Sequence, residues 1–410
     1  MKIFARSFAA ALLATATLTA GPAMAQKKQE APKPPKLTKG VQAALAAAQA
    51  LQTAGDSAGA LAKVAEAEAV PSPTADDTYM INAVRLNSAV PLKDNALIEK
   101  ALTNMLATGK VKAEDQTKFL RTVGSLAMER KDYAAATTAF ETLVKTDASD
   151  PENVVALSEL YWAQKQTAKA VDSLNQAITA SKTAGKVPPE SWYRRRLAIA
   201  YDGKLAAQVQ PAALGLVEAY PNAVNWRDAI IITRDSFPST DEQVALDFMR
   251  LQSATGSLNG ERDFVEYADT ALGRGFPGEA DTAIREGIQR NMLSATKPLV
   301  KELQTSAQAK SKTDKASLPG LEKEIKGNPK IAISTGDAYY GYADYAKAAS
   351  LYRQAAALPG VDAATANLRL GMALARSGDK AGATAALTQV TGGPREALAK
   401  YWLVHLNKTA

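Results

Sequence analysis

Small residues recur along this chain at a spacing near 34, and that periodicity limits its fold more than any other feature. Leu120, Val123, Gly124 and Ala127 are followed by Ala136 and Phe140. A step of 34 lands on Val154, Leu157, Ser158 and Tyr161, then on Ala170 and Leu174, and every position stays apolar or small. Ala332, Thr335, Gly336 and Tyr339 precede Ala348 and Tyr352; a step of 35 gives Asn367, Leu370, Gly371 and Leu374, then Ala383 and Leu387, with only Asn367 out of character. Phe264, Tyr267, Ala268 and Ala271, with Ala280 and Ile284, stand 68 positions before the Gly336 unit. Two periods fit that gap, so one poorly marked unit is expected between them. An early unit reads Ala44, Ala47, Ala48 and Leu51, then Ala60 and Val64.

Within each unit the large residues fall three or four apart, which makes one apolar stripe on a helix. The small residue in that stripe lets a second helix approach closely. Short polar breaks such as Ala54-Gly55-Asp56, Arg130-Lys131-Asp132 and Ser377-Gly378-Asp379 separate segments of about a dozen residues, the pattern of helical hairpins. No run of alternating β-branched residues reads as a strand. These units resemble the tetratricopeptide repeat family, whose pattern is W-x2-L-G-x2-Y, then A-x3-F, then P. The resemblance implies an all-α, right-handed superhelical solenoid of antiparallel helix pairs. One hairpin cannot bury both of its faces, so neighbours must stack.

The resemblance covers residues 38–410, with nine or ten hairpins expected, degenerate ones around 189–260 and 295–328, and a capping helix at about 394–406 carrying Ala397, Tyr401, Trp402 and Leu403. Arg194, Arg195 and Arg196 interrupt the stripe after Trp192, and Ser236-Phe237-Pro238-Ser239-Thr240 lengthens one turn. The Lys-rich stretch Lys310 to Lys315 reads as an irregular loop. Few units end in the family's proline; Pro359 is the best placed.

Residues 1–25 have the layout of a signal peptide: basic Lys2 and Arg6, an apolar run from Phe8 to Ala20, and Ala23-Met24-Ala25 before Gln26. Residues 26–37 form a Lys/Pro-rich segment that reads as a disordered linker. The expectation is a periplasmic or otherwise exported protein, cut near Ala25. With no cysteine in the chain, stability has to come from apolar burial rather than disulfides.

The formal net charge of +7 misleads. Lys2 and Arg6 contribute part of it, and Lys27, Lys28, Lys33, Lys36 and Lys39 against Glu30 most of the rest. The repeat body is close to neutral, which argues against a nucleic-acid surface. The Lys/Pro-rich segment fits either a soluble spacer or a peripheral envelope contact.

Catalytic chemistry is thinly represented. His405 is the only histidine, in the expected capping helix and without the company of a triad or a zinc motif. Gly55-Asp56-Ser57-Ala58-Gly59 fits GxSxG, and Gly273-Arg274-Gly275-Phe276-Pro277-Gly278 fits GxGxxG. Both patterns require a preceding strand; here helical segments precede them, so both read as hairpin turns. Asp147, Asp150 and Glu152 cluster at a turn, but without EF-hand spacing; Asp150 before Pro151 reads as a helix cap. No catalytic residue, cofactor or metal ligand is assigned.

In the family the groove is lined by outward-facing residues of the first helix of each pair. One step off the buried stripe stand Arg121 and Met128, Glu159 and Trp162, Arg227 and Arg234, Asp337 and Tyr340. Of these, Arg121, Trp162, Arg227, Arg234 and Tyr340 are the candidate partner-binding residues. The same positions also fit ordinary solvated or half-buried helix residues. The resemblance implies a non-enzymatic scaffold of the bacterial cell envelope that holds a partner peptide or helix. The alternative is a carbohydrate-binding or carbohydrate-processing envelope protein using the groove as a polymer track.

Overall fold

The computed structural model describes residues 35–237 and 241–408. The expected signal peptide and residues 26–34 lie outside them, as do 238–240 of the lengthened turn. Among the described residues the chain is all-α, with helices α1 to α20. It divides into two compact units, one ending at Lys110 and one beginning at Val111.

The first unit holds α1 (Lys39–Thr53), α2 (Ser57–Glu68), α3 (Ala75–Leu92) and α4 (Asn95–Ala107). Asp56 caps α2 by accepting from the Gly59 N–H at 2.7 Å, and Gly55 carries a positive φ of 82°. The GxSxG pattern is therefore a turn between helices, as its context suggested. Val41, Leu45, Ala48, Ala60, Val64, Ile81 and Val84 make the core. Leu37 packs onto it, and the Thr38 N–H donates to Asp77 at 2.9 Å. The linker expected to run to residue 37 therefore ends sooner, because Leu37 has an apolar surface to cover.

The second unit continues as hairpins: α5 (Ala113–Glu129) with α6 (Tyr133–Thr146), α7 (Pro151–Ala163) with α8 (Thr167–Thr183), and α9 (Glu190–Asp202) with α10 (Ala206–Ala219). Then come α11 (Ala223–Asp235), α12 (Glu242–Ala254), and the pair α13 (Gly260–Gly273) and α14 (Pro277–Gln289). They are followed by α15 (Pro298–Glu324), α16 (Pro329–Gly341) with α17 (Tyr345–Ala356), α18 (Ala363–Ser377) with α19 (Lys380–Leu387), and α20 (Gly393–Lys408). Asp150 accepts from the Glu152 N–H at 3.0 Å, with Pro151 in the first turn of α7, so it is the cap its position suggested. The GxGxxG run spans the turn from α13 to α14, with Gly275 at φ 80°.

The small residues do what their spacing required. A Cβ on Gly124 would lie 2.7 Å from the Phe140 ring, one on Gly336 would lie 2.7 Å from the Tyr352 ring, and one on Gly371 would lie 2.5 Å from Leu387. In each case the large residue of the second helix covers the glycine of its own hairpin. Ser158 occupies the equivalent place in α7 and donates to the Ala170 carbonyl at 2.7 Å. Burying a Phe140 or a Tyr352 contributes roughly 2–3 kcal/mol of apolar transfer, which is available only because no side chain occupies the glycine position.

One expectation is corrected and two are made more specific. Lys310 to Lys315 lies within α15, a continuous 27-residue helix, not a loop; it stands where a helix pair was expected. Its exposed lysines favour helix and cost nothing in solvent. The helix at 394–406 is present as α20, but it does more than cap the end: it packs against α10, α12, α18 and α19. Its Leu398, Tyr401 and Trp402 are fully buried in one core that also takes in α8 to α12. Finally, α11 and α12 follow one another without packing together as the other pairs do. Val244, Phe248 and Leu251 of α12 enter the core shared with α20, whereas Leu246 and Met249 enter that of α13 and α14.

Candidate partner-binding face

Polar residues one step off the buried stripe of each first helix are drawn to the first helix of the next pair. Between α5 and α7, Arg121 donates to Asp150 at 3.0 Å and to Asn153 at 2.5 Å. Between α7 and α9, Arg195 grips Glu159 through two bonds of 2.8 and 2.7 Å, and its guanidinium lies 5.4 Å from the centre of the Trp162 ring. Between α9 and α11, Arg194 donates to Asn225 at 2.7 Å and to Asp228 at 2.9 Å. Between α11 and α13, Arg227 donates twice to Asp263, both at 3.0 Å. Between α13 and α15, Lys297 pairs with Glu261. The partners are separated by roughly one repeat, so the ladder carries the same period as the core.

The side chains of Arg195 and Arg227 remain about one-third exposed, so each rung is worth at most about 1 kcal/mol. The hydrogen bonds that Arg195 donates to Glu159 and Arg227 to Asp263 hold both guanidinium pKa values above their ordinary range. The run Arg194 to Arg196, opaque as a charge cluster, resolves into three separate contacts. Arg196 turns to Asn175 at 2.9 Å and to the Ala212 carbonyl at 3.1 Å, and burial lowers its pKa.

One interval of this ladder opens into a cleft of about 330 Å³ between α11, α12 and α13. Arg227, Ile231 and Arg234 line it from α11, Met249 and Gln252 form its α12 side, and Arg262 and Glu266 face it from α13. Arg234 is held only by longer ion pairs, 3.5 Å to Asp235 and 3.7 Å to Glu266. Arg262 is exposed and carries no ion pair among the described residues. Two of the five candidate residues, Arg227 and Arg234, are thus brought together. Arg121 and Trp162 stand half-buried on earlier rungs.

Tyr340 is not on this face. It is 6 % exposed, its ring lies 4.9 Å from the Arg250 guanidinium, and Tyr345 packs edge-on against it. Asp337, expected to point outward, is 2 % exposed. Both are covered because α16 packs across α14 and lies beside α12, a contact that no single-hairpin pattern contains. Arg262, Gln252 and Met249 were not singled out from sequence; α12 lies outside the repeat pattern, so its contribution carries no periodic signal.

His405 sits edge-on between the Trp226 and Trp402 rings, at 6.1 and 5.7 Å, a packing position. The period of the rungs and the glycine-under-aromatic contacts within the hairpins together decide the architecture. It is a tetratricopeptide-like helical array.

Comparison with known proteins gives structural similarity only. The C-terminal part of a TPR repeat-containing protein from Cytophaga hutchinsonii is 14% identical, at a TM-score of 0.37, over 62% of this chain and 97% of that one. A tetratricopeptide repeat protein from Parabacteroides merdae is 12% identical, at a TM-score of 0.31, over 72% of this chain and 99% of that one. Naa15/Naa10 bound to HypK-THB is 15% identical, at a TM-score of 0.30, over 88% of this chain and 64% of that one. No protein-family model matches the sequence, and no curated protein matches it.

Proposed function

We propose that this protein is an exported, non-enzymatic scaffold that holds a segment of a partner protein against the cleft between α11, α12 and α13. The observation that carries the reading is the pairing there of an unengaged guanidinium, Arg262, and a loosely held one, Arg234, with the apolar Ile231 and Met249. Arginine beside apolar side chains in a concave site is the composition of an interaction hot spot. Elsewhere on this face the ladder engages the charges internally.

Several features favour a scaffold over an enzyme. The chain has no cysteine nucleophile, and its one histidine is packed between tryptophan rings. Asp263, one of the acids that line the cleft, is bridged by Arg227. Export is inferred from the N-terminal pattern alone; N-terminal sequencing of the mature chain, starting at Gln26 if the inference holds, tests it.

Binding is tested by comparing the wild type with Arg234→Ala/Arg262→Ala in co-purification from solubilised envelope. A partner recovered by the wild type should be lost by the double variant and retained by Arg121→Ala. Equal recovery by all three would remove the cleft from the proposal. Recovery of envelope polysaccharide alone would favour the polymer-track alternative.

A further inference from the structure

The helix that forms one wall of the cleft is held in place from its other side by a buried ionic cluster. On α12, Asp247 and Arg250 lie one helical turn apart, and Met249 and Gln252 fall on nearly the opposite face at 100° per residue. Arg250 is fully buried and directs two bonds of 2.7 Å to Glu279 of α14. Its remaining arm reaches Asp247 at 3.1 Å and Asp337 of α16 at 3.3 Å. Arg369 of α18 donates to Asp337 at 2.5 Å and approaches Asp247 at 3.4 Å. Tyr267 donates to Glu279 at 2.8 Å and Tyr352 to Asp337 at 2.7 Å. The ionic groups thus join four helices, α12, α14, α16 and α18, drawn from positions 247 to 369, and the two tyrosines add α13 and α17.

A buried ionic cluster is a poor source of net stability, because desolvation offsets the attraction; what it supplies is geometry, since removing one member strands a charge. The present cluster is not optimised for stability either. It sets three carboxylates against two guanidinium groups, and Asp247 Oδ2 has no hydrogen-bond partner. Its position is informative. Because α12 packs against α11, the helix before it in the chain, no more than against α20 at the far end, contacts with distant helices, these among them, share in setting its place.

We propose that the cluster is a clasp: the arc α16 to α20 closes onto α12 as a step separate from the folding of α5 to α10, and closure positions the α12 side of the cleft. The open form keeps the early hairpins, each packed against its neighbours in the chain, and loses the contacts of α12 and α20 together, those of α20 with α10 included. Partner binding at the cleft is then linked to closure, since any ligand that touches Met249 or Gln252 favours the closed form by its differential affinity. The linkage rests on the binding reading above, whereas the closure does not.

The test uses the full mature chain and hydrogen exchange resolved by peptide. Arg369→Met leaves Asp337 and Asp247 short of a partner, and should raise exchange in α12 and α16–α20 by roughly 10²-fold or more while α5–α9 stay protected. Asp337→Asn/Arg369→Met removes both members and should recover part of the protection. Arg369→Lys keeps the charge without the fork and should give a smaller rise in the same helices. A rise spread evenly over α5–α20 in the lysine variant, or none in any variant, overturns the clasp. Since the chain has no cysteine, Gln252→Cys reports on the cleft wall without a partner. Its maleimide labelling should quicken in the Arg369→Met background, and an unchanged rate would break the link to the cleft while leaving the clasp to stand or fall on exchange.

Discussion

The hydroxyl of Tyr401 lies 2.6 Å from that of Thr233, a residue 168 positions earlier in the chain. The same phenol donates to the Ala229 carbonyl at 3.2 Å, and its ring meets Trp226 edge-on at 6.0 Å. A helix from the end of the chain therefore packs onto α11 through Tyr401. Tyr401→Phe deletes the donor to Ala229 and the partner of Thr233, and should cost about 1–3 kcal/mol. Tyr401→Ala should cost about 3–5 kcal/mol. Urea denaturation checks both. Burial pushes the Tyr401 pKa up, so the phenol stays protonated at neutral pH and the cost of Tyr401→Phe should be the same at pH 6 and pH 8.

Not every glycine is equivalent. Gly336→Ala sets a methyl against the Tyr352 ring and should destabilise by about 1–3 kcal/mol through overpacking. Gly320→Ala in α15 meets nothing within 4 Å and should stabilise by about 0.5–1 kcal/mol through helix propensity. Thermal unfolding of the two variants gives opposite shifts if helix–helix contact is the reason for the first glycine.

Those glycines mark what was readable in the sequence. Gly124, Gly336 and Gly371 announce their hairpins because the residue that covers each one lies a fixed 16 positions later, within reach of a local pattern. Trp402 and Tyr401 were recognisable as apolar, but their partners on α11 were not, because nothing in the intervening 168 positions encodes the closure. Tyr340 shows the same limit: its place one step off the stripe suggests an outward side chain, and the cover that Arg250 supplies, 90 positions away on α12, carries no local signal. Arg227 and Arg234 were found by position; Arg262 was missed because a charged residue on a first helix is unremarkable until its neighbours prove to be paired.

Each rung of the ladder should act locally. Arg195→Ala removes both bonds to Glu159 and the cover over Trp162. The expected stability loss is about 1 kcal/mol or less, together with a red shift of tryptophan emission as Trp162 meets water. A loss of several kcal/mol would mean that the rung is coupled to the core.

The single histidine gives a clean titration. Burial first, and then the nearby Arg376 charge, lower the His405 pKa below its ordinary value. The unfolded chain therefore takes up the proton at a higher pH than the folded one. The stability tied to this neutral imidazole is complete above about pH 6.5 and is lost as pH falls from there through the lower folded value. His405→Asn should remove that component. The difference between the wild-type and variant Tm curves should be flat above about pH 7.5 and slope below about pH 6.5; parallel curves throughout would contradict the burial of the ring.

Partner recognition at the cleft is tested most directly by a photocrosslinking amino acid placed at Arg262, with Lys312 on the exposed face of α15 as the control site, in cells that make the protein. A discrete protein adduct is expected at position 262, absent at 312 and lost when Arg234→Ala is added. No adduct at 262, or the same adducts from both sites, would contradict it.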